Sequence, residues 1–99
     1  MDLLNIPMRD GSRHFLSLPE TRDWGELRDH IATLPGATVT GYVTDEVTEV
    51  WIDFSYVGYD FSVNNQFGEF WFFVVDTSCP EPVLQSVTAH CTPFLDSGL

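Results

Sequence analysis

The chain has 99 residues, 43% of them apolar and 14% aromatic, with a formal net charge of -11. That apolar content excludes a disordered tail, and a chain of this size buries roughly two-thirds of its unfolded surface around one core. Fifteen acids against four arginines and no lysine exclude nucleic acid as a partner and disfavour an anionic membrane surface, because both are held by cations.

The charge is uneven. Arg9, Arg13, Arg22 and Arg28 all precede the ten acids that follow Arg28. Acidity on this scale has two readings. It keeps a protein soluble, and it attracts a basic partner quickly and salt-sensitively. The N-terminal Met1–Asp10 segment has no basic stretch ahead of an apolar run, so it does not read as a signal peptide. The longest apolar run, Phe70 to Val75, is far short of a membrane span. The expected compartment is the cytoplasm.

In chain order, residues 1–18 form an N-terminal arm or hairpin. Leu3–Met8 and His14–Leu18 flank Asp10-Gly11-Ser12, a turn signal, and Pro7 confines the first arm to an edge. Residues 23–34 read as a helix, with Trp24, Leu27, Ile31 and Leu34 on one face. Asp23 and Glu26 have capping-box spacing, and Pro35-Gly36 stops the helix. From 37 to 75 the period changes to two. Ala37–Val43, Val47–Val57, Tyr59–Asn64 and Glu69–Val75 read as four strands. Val50, Ile52, Phe54 and Tyr56 share one face, and Glu49, Trp51, Asp53 and Ser55 the other. Residues 79–91 read as the closing helix, capped by Ser78 and ended by Pro93, with Val83, Leu84, Val87 and Cys91 on its inner stripe. The expected fold is one α+β domain over 1–99: a four-stranded antiparallel meander flanked by two helices, with the N-terminal hairpin or arm.

The strand 69–75 is apolar on both sides, as expected only where both faces are covered. If one face packs on helices, Trp51, Trp71 and Phe73 fall on the other, with Glu49 and Asp53 beside Trp51. The chain itself, a second copy or another protein must cover this patch. These five residues are the expected partner-binding site.

Signals for chemistry are weak. No nucleotide, nucleophile-elbow or zinc-protease motif is present. His14, His30 and His90 lie in separate elements, and no metal or cofactor is expected. Cys79 and Cys91, about 18 Å apart on one helix, read as free thiols. Cys79 near a helix start has the placement of a nucleophile, but it needs a base, and a structural cysteine is the expected reading. Glu49 and Asp53, about 13 Å apart on one strand face, are too distant for a glycosidase pair. With Asp45, Glu46 and Asp60 they read as an acidic rim.

Phe54-Ser-Tyr-x-Gly58, Phe61-Ser-Val-Asn-Asn, Gly68-Glu-Phe-Trp-Phe-Phe-Val and Cys79-Pro give the stretch from Trp51 to Cys91 a strand–turn–strand–helix cadence. It resembles small bacterial α+β proteins, among them immunity proteins of toxin systems. The resemblance implies a non-enzymatic protein that binds a basic toxin or nuclease. A structural homodimer is the alternative, and a small enzyme using Cys79 a third.

Overall fold

The computed structural model describes residues 3–45 and 47–96. Six strands form one antiparallel sheet: β1 (Ile6–Pro7), β2 (Arg13–Pro19), β3 (Ala37–Thr44), β4 (Val50–Tyr56), β5 (Tyr59–Gln66) and β6 (Glu69–Val74), in the order β1-β2-β6-β5-β4-β3. The helices are α1 (Trp24–Ala32) and α2 (Glu81–Leu95).

This corrects the expected four-stranded meander. β3 to β6 do pair in sequence, but the N-terminal hairpin joins them through β2, which pairs with β6 from Arg13↔Val74 to Pro19↔Glu69. A bulge between His14 and Leu16 explains why residues 13–19 do not read as a sheet strand. One extra residue breaks the period of two. Phe15, Leu16 and Leu18 are buried in the core, while His14 and Ser17 pair opposite Phe73 and Trp71 on the other face.

Asp23 caps α1 by accepting from the Gly25 amide. The Ser78 hydroxyl donates to Asp76; α2 starts at Glu81 with Pro80 at its N-cap and no side-chain cap, and it continues through Pro93 to Leu95. β4 starts at Val50, which leaves Glu49 in the preceding turn. There the Asp45 carboxylate accepts from the Val47, Thr48 and Glu49 amides and the Thr48 hydroxyl, which holds its pKa well below the usual carboxylate range.

The hairpins β4–β5 and β5–β6 each close through two residues with positive φ, Val57-Gly58 and Phe67-Gly68. Such turns match the twist of the strands and favour Asn-Gly. A β-branched residue at φ 54° is out of place. Val57→Asn should therefore raise stability by about 0.5–1 kcal/mol in chemical denaturation; an unchanged or lower midpoint would refute the strain.

Both helices pack on one face. Leu27 and Ile31 of α1 and Leu84, Val87, Cys91 and Leu95 of α2 meet Ile52, Phe54, Phe61, Val63, Phe70 and Phe72 of the sheet in one core. Arg13 seals an edge, with Nε donating to the Leu4 carbonyl and Nη1 paired with Glu81. His30 and His90 stack at 4.1 Å, and each Nε2 donates to the other's backbone carbonyl, tying α1 to α2.

Candidate interaction face

The side of the sheet away from the helices is built in cross-strand rows. Val43, Trp51, Asn64, Trp71 and Ser17 are successive partners across five strands. The adjacent row is Gly41, Asp53, Ser62, Phe73 and His14. Directly opposed side chains lie about 4.5–5.5 Å apart at Cβ. Asn64 therefore sits between two indoles, and Ser62 between a carboxylate and a phenyl ring.

Of the five residues expected at the site, four are brought together here: Trp51 and Asp53 on β4, Trp71 and Phe73 on β6. Glu49 is not on the strand and stands exposed at the border of the face. The cover is partial. His14 stacks on Trp71 at 4.6 Å and tilts against Phe73 at 5.1 Å, leaving Phe73 8% exposed. The hairpin thus roofs the β6 side of the face. Trp51 remains 45% exposed, with exposed Val43 and Val75 nearby on the same side.

Two residues of the face escape sequence reading. Asn64 looks like an outward polar residue in an alternating strand, yet it is 4% exposed, and its Oδ1 is buried without a hydrogen-bond partner. Phe67 looks like a turn filler. It is 91% exposed at φ 52°, with its ring 6.2 Å from that of Trp71. An apolar aromatic in a left-handed turn position, where glycine or asparagine is usual, was the available signal.

The face holds two adjoining depressions. One, of about 160 Å³, lies among Met8, Asp10, Trp51, Asn64, Phe73 and Val75. The other, of about 390 Å³, lies among Thr40, Asp53, Asp60, Ser62 and Val75. The Ser62 hydroxyl donates to Asp53 at 2.6 Å. Gly41, opposite Asp53, leaves room for that carboxylate, since a Cβ there would come within 3.0 Å of its Oδ2. Bonds from the Ser12 hydroxyl and amide hold the Asp10 carboxyl below its ordinary value and keep it charged.

Burial lowers the His14 pKa; the Leu16 carbonyl and Glu69 oppose this. With the folded value below the unfolded 6.5, the unfolded chain binds more protons between the two. Stability is then complete above pH 6.5 and declines as pH falls below it. Thermal unfolding at pH 7.5 and 5.5 should show a decline in the natural chain that His14→Phe reduces. Equal declines would contradict the assignment.

Burial raises the Cys79 thiol, the opposite of what a nucleophile needs, and pushes Cys91 up to about 12. Both cysteines are free. Among the described residues, no group of three His, Cys, Asp or Glu could hold a metal ion, and no helix is long and apolar enough to cross a membrane. Glu46, assigned above to the acidic rim, lies outside the described residues. No family model, curated protein or solved structure matches the chain.

Proposed function

We propose that this chain is a non-enzymatic binding module that docks a basic protein on the open face of its sheet. The observation that carries this reading is the row Trp51–Asn64–Trp71. An indole stays largely open beside a buried, unpaired amide oxygen, in a surface bordered by Asp10, Glu49, Asp53, Asp60 and Glu69. Exposed aromatics with a charged border are typical of docking patches. A partner of opposite charge gains both encounter rate and register. A basic toxin or nuclease, the partner expected from the strand–turn–strand–helix cadence of residues 51–91, would carry that charge. Two buried free thiols fit a reducing compartment such as the cytoplasm. Self-association through this face would bring Asp10, Asp53 and Asp60 of two copies close together, at a cost in like-charge repulsion.

The test is affinity capture on the natural chain beside Trp51→Ala and Asp53→Lys, with the recovered protein identified. A basic protein held by the natural chain and lost from both variants supports the reading. Equal recovery on all three overturns it. So does light scattering that shows a dimer dissociated by Trp51→Ala, which would assign the face to a second copy.

A further inference from the structure

We infer that the outer edge of β3 is a dimer seam, where a second copy of this chain lays its own β3 antiparallel to the first. The seam does not depend on the docking reading above. The two edges of the sheet are built differently. β1 is two residues long and contains Pro7, which closes that edge to further strands. β3 runs eight residues along the other edge, Ala37–Thr44, with neither proline nor charge. Thr38, Val39, Thr40, Val43 and Thr44 are β-branched, a type that strands favour. A bulge between Val39 and Gly41 bends the strand but leaves Gly41 to Thr44 in regular register with β4. The Asp45 amide donates to the Glu49 carbonyl at 3.2 Å. Alternation along the ladder then turns Gly41 and Val43 toward β4 and the N–H and C=O of Tyr42 outward.

Charge selects the occupant. No Asp, Glu, Lys or Arg lies between Asp29 and Asp45, in a chain of net charge -11. A basic strand finds no acid on β3, whereas a second copy meets no like charge there. On the helical side Arg28 lies over the Tyr42 ring at 4.6 Å and bonds Asp29 at 3.0 Å, a balanced pair. Asp53 lies one strand behind the edge, bonded by Ser62 of β5 at 2.6 Å. The two β4 strands of the dimer stand about 14 Å apart, beyond the Debye length of about 8 Å at physiological salt. Pairing about Tyr42 puts the Asp45 residues at opposite ends of the seam. It also sets Val43, 65% exposed, beside its copy. The twofold axis is perpendicular to the sheet, so the two sheets continue as one and both open faces look the same way. With the β1 edge closed, association ends at two copies.

The experiment follows the mass of the full chain by light scattering across a concentration series, with backbone amide exchange read by NMR. The natural chain should pass from monomer to dimer in the micromolar-to-millimolar range, and the Tyr42 amide should gain protection as dimer forms. Val43→Glu and Val43→Lys should each weaken dimerisation at least tenfold, because like charges then meet across the seam. An equimolar mixture of the two should restore the dimer, which also shows that both variants fold. A monomer throughout the series overturns the seam, as does a dimer whose Tyr42 amide exchanges as fast as in the monomer. A mixture that stays monomeric, with both variants melting as the natural chain does, overturns it too. A dimer that Trp51→Ala dissociates and the Val43 variants do not belongs to the open face and overturns the seam. A Tyr42 amide protected only when a basic protein is added assigns the edge to that protein's strand and overturns the second copy.

Discussion

Phe15→Ala is expected to cost about 3–5 kcal/mol, the usual price of emptying a buried phenylalanine site. Phe15 is 0% exposed. Its ring meets Phe61 edge-on at 5.9 Å and Phe72 at 6.3 Å. These partners belong to β5 and β6, so the bulged residue of the hairpin is a keystone of the main core. Domains of this kind are stable by about 5–15 kcal/mol in total. A melting point falls by about 4–8 °C for each kcal/mol in a chain of this size. The variant should therefore melt far below the natural chain, and at low total stability it will be partly unfolded at room temperature. The measurement also separates the six-stranded sheet from a four-stranded meander with a loose arm. In the latter case Phe15→Ala would lose less than about 1 kcal/mol, within the range of an ordinary surface change.

Asn64→Val is expected to raise stability. A buried polar group without a partner costs about 1–3 kcal/mol, and Asn64 Oδ1 is such a group. Valine removes it and suits a strand position between two large side chains better than asparagine does. Chemical denaturation should show a gain of about 1–2 kcal/mol. A variant that is less stable than the natural chain would show that Asn64 serves the fold instead.

The two helices and the individual strands β3 to β6 were readable in the sequence because their patterns are clean, but the four-stranded sheet was not the whole sheet. Trp24, Leu27 and Ile31 keep the helical spacing, and Val50, Ile52 and Phe54 keep the strand alternation. The sequence also placed Trp51, Trp71 and Phe73 on the second face, since alternation fixes sides once one face is known to be buried. It failed at β2 for a local reason: the bulge turns Phe15 into the core beside Leu16, and no period survives that. Glu49 falls one residue short of β4, because the Asp45 carboxylate gathers the amides of residues 47–49 and the strand starts at Val50. Asn64 could not be read at all. Its burial comes from indoles on two other strands, and its missing donor exists only in three dimensions.

On the proposed reading the open face of the sheet, and not the helical one, meets the partner. The most direct measurement is an NMR titration of the labelled full chain with the captured basic protein. The indole signals of Trp51 and Trp71 should shift or broaden first, with the exposed residues of α1 and α2 unmoved. Shifts confined to the two helices, with both indoles unchanged at saturation, would contradict it.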